Sequence, residues 1–333
     1  MTERDYPQDD KIQAFRSSKF FMQMQRNISL SQYTSFKIGG AAQYFCLAKT
    51  APEIISAIQW AKNQGLPFFI LGGGSNLLVN DKGVRGVVIK VQSSKFKVQS
   101  SNSKSKTIEA GSGVLLAQLI QLSLKQGLSG LEWAAGIPRA TVGGAIFGSA
   151  GAFGKKISAI VREVEVYNTA KNRVEVIPIE KCRFAYKESI FKRNKNLVIL
   201  NVVLSLNTKS PKQVQEEIKR VLQYRKDHHP TEPSAGSVFL NVENNPKNKK
   251  TLSLIPGFEI FSDKKEIPAG WLIEKAGLCG KIIGGAQIST KHCNFIINSD
   301  KAKTNDVLAL IKTAKQTVRK KFGVALQEEV QCF

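Results

Sequence analysis

The feature that most constrains this chain is the run Gly72-Gly73-Gly74-Ser75-Asn76, set directly behind the short apolar stretch Phe68–Leu71. Consecutive glycines free the backbone of Cβ atoms where it must turn tightly. Successive N–H groups can then converge into an anion-binding nest, with Ser75 and Asn76 adding side-chain donors. The run is neither the dinucleotide fingerprint of a Rossmann fold nor a P-loop, because no Lys-Ser or Lys-Thr follows it. A tight structural turn is the competing reading. A second glycine-rich segment runs Gly136-Ile137-Pro138-Arg139-Ala140-Thr141-Val142-Gly143-Gly144-Ala145 and continues through Gly148, Gly151 and Gly154. The apolar residues between these glycines argue against a loose loop and for close approach of the backbone to a bulky ligand or to another backbone.

Around these segments strands and helices intermix without regular βαβ alternation, which predicts an α+β fold and not a doubly wound sheet. Thr50-Ala51-Pro52-Glu53 reads as a capping box opening a helix that ends at Gly65, with Ile54, Ile58 and Ala61 at helical spacing. Further helices are expected over Val114–Gln126, after the capping sequence Ser210-Pro211-Lys212-Gln213, and over Asn305–Phe322. Strands are expected at Gly86–Val91, Ile160–Tyr167, Val174–Ile179, Leu197–Leu204 and Asn294–Asn298, and an exposed hairpin or loop over Ser93–Lys106. The best domain boundary is the stretch Asn207–Ser210.

A length of 333 residues exceeds one average domain. No stretch approaches the roughly 18 uninterrupted apolar residues of a membrane helix. Met1–Leu30 opens with acids and lacks the apolar core of a signal peptide, so it reads as a loosely held extension. The five cysteines (Cys46, Cys182, Cys279, Cys293, Cys332) are odd in number and widely spaced. That argues against a disulfide framework or zinc site and for a reducing compartment, the thiols serving as small buried apolar groups. With only His228, His229 and His292, a His-rich metal centre is not expected. The net charge of +23 invites a nucleic-acid reading, yet the longest basic run is Arg319-Lys320-Lys321 and the remaining cations are scattered. A basic field equally suits an enzyme whose ligands all carry phosphates.

Ordered motifs then carry a specific resemblance. Thr34-Ser35-Phe36-Lys37-Ile38-Gly39-Gly40 and the two glycine segments are followed by Phe184-Ala185-Tyr186-Lys187-Glu188-Ser189-Ile190-Phe191 and Pro233-Ser234-Ala235-Gly236-Ser237-Val238-Phe239. Next come Ala269-Gly270-Trp271-Leu272-Ile273-Glu274-Lys275-Ala276-Gly277-Leu278, Gly284-Gly285-Ala286-Gln287, His292-Cys293-Asn294-Phe295 and Glu328-Glu329-Val330. Together they resemble the UDP-N-acetylenolpyruvoylglucosamine reductases, the MurB family, from residue 27 to 333, in the subtype without an extra tyrosine-bearing loop.

The resemblance implies an N-terminal extension (1–26), an FAD-binding domain of the vanillyl-alcohol-oxidase (PCMH) type (27–207, two lobes split near 86) and a smaller α+β substrate domain (208–333). It implies non-covalent FAD held by Gly72, Gly73, Gly74, Ser75, Asn76 and Leu77, and by Gly136, Ile137, Thr141, Gly143, Gly144 and Ala145. NADPH would be the electron donor and a UDP-sugar enolpyruvyl ether the substrate, contacted by Tyr186, Asn241, Lys275, Gln287, His292 and Asn294. The setting would be cytoplasmic peptidoglycan-precursor synthesis by a monomer, with no nucleic-acid partner and no membrane insertion. The family's catalytic serine falls on Ser237, its glutamate on Glu329 and its arginine on Lys187, a departure. Arg139-Ala140 replaces the usual glycine after Ile-Pro, and Ser149 replaces an asparagine.

The chemistry gives these residues physical roles. Reducing an enolpyruvyl double bond needs a hydride at one carbon and a proton at its neighbour, and the flavin supplies the hydride. Charge collecting on the carboxylate calls for a cation, Lys187, and for Glu329, expected in its protonated, donating form. Such donors are worth roughly 3 kcal/mol each by oxyanion-hole precedent. Ser237 would deliver the proton. Another flavoenzyme on the same fold, such as an alcohol or lactone oxidase, often attaches FAD through His or Cys, and neither occurs in the glycine segments.

Overall fold

Apolar and alternating runs at the start of the chain build the first sheet. The computed structural model describes residues 13–17, 20–93, 95–100 and 104–333. β1 (Gln13–Ser17), β2 (Phe20–Ser29), β3 (Ala41–Ala48), β4 (Phe68–Leu71) and β5 (Val84–Val91) lie in the order β1-β2-β3-β5-β4. β1, β2 and β3 are antiparallel, and β5 runs parallel to both β3 and β4. This corrects the reading of Met1–Leu30 as a loosely held extension. The alternation Met22-Gln23-Met24-Gln25 has the strand period of two, and Met24 is buried; residues 1–12 lie outside the described residues.

α1 (Ala51–Asn63) covers this sheet. Thr50 caps it by accepting from the Glu53 N–H at 3.4 Å, while the Glu53 carboxylate reaches one residue further back, to the Lys49 N–H at 2.5 Å. Its buried face (Ile54, Ala57, Ile58, Ala61) packs on Met24, Cys46, Val87 and Ile89, and the same core takes in Tyr167, Val198 and Leu200 from the second lobe.

The second sheet is antiparallel throughout. β6 (Phe96–Ser100), β7 (Ser105–Gly111), β8 (Val161–Asn168), β9 (Arg173–Pro178) and β10 (Leu197–Thr208) stand in the order β9-β8-β10-β7-β6. The hairpin expected over Ser93–Lys106 is the β6–β7 pair, with Phe96 opposite Ala110; its turn, 101–103, lies outside the described residues. α2 (Leu116–Gln126), ending at left-handed Gly127, and the short α3 (Val142–Phe147) pack on this sheet. α4 (Pro211–His228), opened by a Ser210/Gln213 capping box, follows the expected boundary, yet its Val214, Ile218 and Val221 enter the same second core.

The third unit carries β11 (Ser234–Ser237), α5 (Ala269–Lys275), β12 (Ile282–Ile283), β13 (Ala286–Ile288), β14 (Phe295–Asn298) and α6 (Thr304–Phe322), with sheet order β11-β14-β13-β12. α6 buries Val307, Leu310, Ile311, Ala314 and Val318 at helical spacing. This core is shared, because Phe36, Ile38 and Leu78 enter it from the first lobe. Among the described residues no helix is long and apolar enough to cross a membrane.

The cysteine reading is corrected here. Cys46 and Cys182 are buried free thiols as expected, but Cys332 is exposed and Cys279 and Cys293 form a disulfide, with Cα atoms 5.2 Å apart. The β12–β13 hairpin and the return into β14 fold the chain back, through Gly280 N–H to Ile288 O and Ser289 N–H to Phe295 O, so residues 14 apart in sequence become neighbours.

Phe36 is fully buried in a core built mostly by another part of the chain. Phe36→Ala should therefore lower stability by about 3–5 kcal/mol, measured as a lower denaturant midpoint at unchanged slope.

Candidate functional site

The three glycine motifs meet at one place. A Cβ on Gly72 would stand 2.6 Å from Thr141 Oγ1, one on Gly73 1.7 Å from the Arg139 carbonyl, and one on Gly74 2.2 Å from the Tyr33 carbonyl. A Cβ on Gly143 would likewise stand 2.7 Å from Ser112 Cβ. The Gly72 run, the Gly136 segment and the Thr34 loop are thus in backbone-to-backbone contact, which side chains would prevent. Gly74, at φ +67°, adopts the left-handed conformation that favours glycine. Thr141 caps α3 through the Gly144 N–H, and Ser35 N–H donates to Gly74 O at 3.0 Å. Among the described residues Ser112 Oγ is buried with no hydrogen-bond partner, and Lys90, buried near the C-terminal end of β5, donates to the Gly72 carbonyl. A close-packed glycine junction, an orphan buried hydroxyl and a buried cation are a donor set suited to an anionic nucleotide.

Beside this junction opens a cleft of about 390 Å³ whose walls include Ser149, Tyr186, Lys187, Ser237, Asn241, Glu266, Asn294 and Glu329. Lys187 Nζ and Glu329 Oε1 are 2.6 Å apart, with side chains 21% and 16% exposed. Lys187 occupies a tight turn at φ +55°, uncommon for a residue with a Cβ. The reciprocal bonds Ala185 N–H to Glu188 O and Glu188 N–H to Ala185 O close that turn, and Lys192 Nζ holds the Lys187 carbonyl at 3.0 Å. Ser149 Oγ donates to Ala185 O and Ser189 Oγ to Phe147 O, tying the turn to the end of the second glycine segment.

Glu329 arrives from the far end of the chain. Leu240 N–H bonds Gln327 O and Glu329 N–H bonds Val238 O at 2.8 Å, so 327–330 runs antiparallel to the Ser237 segment. On its other side Asn76 Nδ2 donates to Glu329 O, and Gln331–Cys332 pairs in parallel with Leu77–Leu78. Ser237 follows left-handed Gly236 at the end of β11, opposite Phe295. No side-chain hydrogen bond among the described residues engages its hydroxyl, and Ser237 lines the cleft.

Of the residues expected to contact substrate, Tyr186, Asn241 and Asn294 line the cleft. Burial, with the nearby Glu266 and Glu329 carboxylates, pushes the Tyr186 phenol up to about 12. Asn241 donates to Glu266 at 3.2 Å and accepts from Ala269 N–H at 3.3 Å. The Asn294 amide clamps Phe239, accepting from its N–H at 3.0 Å and donating to its carbonyl at 2.9 Å. Lys275, Gln287 and His292 stand off the cleft walls. Lys275 lies over the Trp271 ring, Gln287 bonds the Gly280 carbonyl, and His292 packs on His229 and Phe295, its pKa lowered by burial.

Glu329, from the C-terminal motif, and Lys187, from the turn after Tyr186, are thus brought together as an ion pair. The sequence reading missed Glu266, which lies at the neck Val242–Glu243/Glu266–Ile267 of an excursion between Phe239 and Ala269 that carries no motif. It missed Lys90 too, although a lysine interrupting the apolar run Val87-Val88-Ile89 before Val91 is a visible signal.

Comparison with known proteins agrees with this geometry. Residues 42–176 match the family model described as FAD binding domain, and residues 228–333 match the C-terminal domain of UDP-N-acetylenolpyruvoylglucosamine reductase. Fold and site together therefore define an FAD-dependent oxidoreductase of α+β class, with the flavin-domain type expected from the sequence. The chain is 36% identical over 306 residues to the UDP-N-acetylenolpyruvoylglucosamine reductase of Caldanaerobacter subterraneus, covering 92% of each. It is 35% identical to that of a Synechococcus species, covering 92% of this chain and 90% of that one. The crystal structure of the enzyme from Thermus caldophilus superposes with a TM-score of 0.73 at 30% identity, covering 94% of this chain and 100% of that one. The chain belongs to the UDP-N-acetylenolpyruvoylglucosamine reductase family.

Gly73→Val forces a side chain onto the Arg139 carbonyl and should separate the two glycine segments. The purified variant should be colourless and fail to take up FAD, by absorbance in the flavin band. A yellow, stoichiometrically loaded variant contradicts this.

Proposed function

We propose that this enzyme reduces UDP-N-acetylglucosamine enolpyruvate to UDP-N-acetylmuramate, with NADPH as electron donor and non-covalently bound FAD, in cytoplasmic peptidoglycan-precursor synthesis. In this reading the flavin domain spans 27–207 and the substrate domain 208–333. Gly72, Gly73, Gly74, Ser75, Asn76 and Leu77, with Gly136, Ile137, Thr141, Gly143, Gly144 and Ala145, hold the flavin. When bound, it supplies the hydride. The observation that carries the reading is one cleft, beside the glycine junction, that holds the Lys187–Glu329 pair and the unengaged Ser237 hydroxyl.

The protein's own residues then bind, orient and move a proton. An ammonium has three N–H donors and Glu329 takes one, leaving Lys187 free to hold the enolpyruvyl carboxylate. As the neighbouring carbon is reduced, negative charge moves onto that carboxylate, and the fixed cation stabilises it more than it stabilises the substrate. Glu329 keeps the ammonium aimed and shares its proton. Ser237 delivers a proton to the carbanionic carbon, its position set by the Asn294 clamp two residues along. Tyr186, Asn241 and Asn294 form the substrate wall.

Two measurements test this assignment. Lys187→Met should slow flavin reoxidation by the enolpyruvyl substrate, while Lys187→Arg should keep or raise it through bidentate contact. Near-normal turnover in the methionine variant contradicts the role. Ser237→Ala should leave flavin reduction by NADPH and FAD content unchanged while reoxidation falls roughly 10²- to 10⁴-fold, the range for losing a positioned proton donor. Stopped-flow absorbance reads both halves in one preparation. Reoxidation at the parent rate would remove Ser237 from the chemistry, and failure of both halves would make it a structural residue.

A further inference from the structure

Lys90 is a buried cation that the chemistry above does not use. It lies near the C-terminal end of β5, an inner strand of the first sheet, between Leu47 of β3 and Leu71 of β4, and is 7% exposed. Among the described residues, the side-chain hydrogen bond it makes runs to the carbonyl of Gly72, the first residue of the glycine run. Among the described residues no carboxylate pairs with it. The charged group that acts on it is a second cation, Arg139, whose guanidinium donates to Gln32 O at 3.1 Å and whose own carbonyl presses on Gly73. Two cations therefore converge where the glycine segments meet, with no ion pair to either among the described residues, and burying a cation such as Lys90 unpaired is strongly unfavourable.

The bond to Gly72 also has a steric consequence. In a trans peptide the carbonyl and the following N–H point to opposite sides. Drawing the Gly72 carbonyl toward Lys90, on the sheet side, turns the Gly73 N–H away from the sheet, toward the side on which the run can receive an anion.

We propose that Lys90 is the positioning residue of the flavin diphosphate. It orients the glycine run through the Gly72 carbonyl and, with Arg139, supplies the positive charge that the diphosphate neutralises. This rests on the flavin placement proposed above. Burial first, and then the Arg139 charge, lowers the Lys90 amine to about 8. A bound diphosphate favours the ammonium, so FAD binding takes up a proton. The pKa rises on binding, so affinity is full below about 8 and falls as pH rises above it. Leu47 and Leu71, its neighbours on the flanking strands, do not titrate, and Arg139 stays charged throughout.

The test is FAD affinity of the full chain stripped of flavin, read by quenching of flavin fluorescence between about pH 6.5 and 9, on either side of the amine's pKa. Proton uptake is read by calorimetry in buffers of different ionisation enthalpy. The parent should bind more weakly as pH passes 8. Lys90→Met should bind roughly 10- to 100-fold more weakly, the span of one lost charge-assisted hydrogen bond, with a flat pH profile. Lys90→Arg, with a charge that does not titrate, should restore most of the affinity and also be flat. Parent affinity and slope in Lys90→Met overturn the proposal. If that variant does not fold, the parent pH slope persisting in Lys90→Arg overturns it equally. The glycine variant separates the two levels of the argument. Loss of FAD in Gly73→Val with parent behaviour in Lys90→Met removes only the role of Lys90, whereas FAD retained in both removes the placement itself.

Discussion

The pairing of residues 327–333 with two distant segments is the contact on which the rest of the site depends. One edge of this tail bonds Val238 and Leu240 beside Ser237, and the other bonds Asn76 and Leu78 behind the glycine run. Asn76 and Glu329, joined by a hydrogen bond, are 253 residues apart in sequence. Contacts of such separation form only after their loop-closure entropy has been met, so nothing local can assemble this cleft. Phe36, Ile38 and Leu78 give the junction its hydrophobic strength by entering the core of the third unit. The polar pairing sets direction and register, and the shared core makes separation costly. Glu329 can then sit within an ångström-scale tolerance of Lys187, which comes from a turn anchored to the second glycine segment.

The glycines serve the same end by absence. Gly72, Gly73 and Gly74 each stand where a Cβ would strike a neighbouring segment, and at Gly73 the obstacle is backbone, which cannot swing aside. The density of glycine is therefore a packing requirement between protein segments as well as an opening for a ligand. Both readings of the sequence, tight turn and nest, describe the same residues from two sides.

Much of this was legible in the sequence because the signals were local. Caps at Thr50 and Ser210, the left-handed stop at Gly127 and the periodicity of α6 depend on near neighbours, and each marks its element in the structure. The order of the motifs, with the comparisons, carried the family and the fold class. What was not legible depends on where distant segments land. Cys279 and Cys293 become partners only because a hairpin closes between them. Glu266 enters the cleft at the neck of an excursion with no motif. Phe20–Ser29 carries only the short alternation Met22–Gln25, and its place in the sheet is set by pairing with β3. The pairing of Glu329 with the Lys187 ammonium likewise follows from tertiary geometry that spacing cannot contain.

The lysine at 187 fits the surroundings that the structure gives it. A guanidinium offers a planar fork, which is strongest when one carboxylate fills it; an ammonium is a compact charge with donors in three directions. Lys187 must meet two anionic partners, Glu329 and, in the proposed reaction, the substrate's carboxylate, and its three donors can face both, as the five donors of an arginine there also could. Its left-handed turn is fixed by the Ala185–Glu188 bonds and by Lys192, which is itself paired with Glu188 at 3.1 Å. The neighbouring cation is thus occupied in holding the backbone, leaving Lys187 as the one aimed at Glu329. A strained backbone position maintained by several independent bonds marks a side chain whose direction matters more than its local comfort, and here that direction is into the cleft beside Ser237.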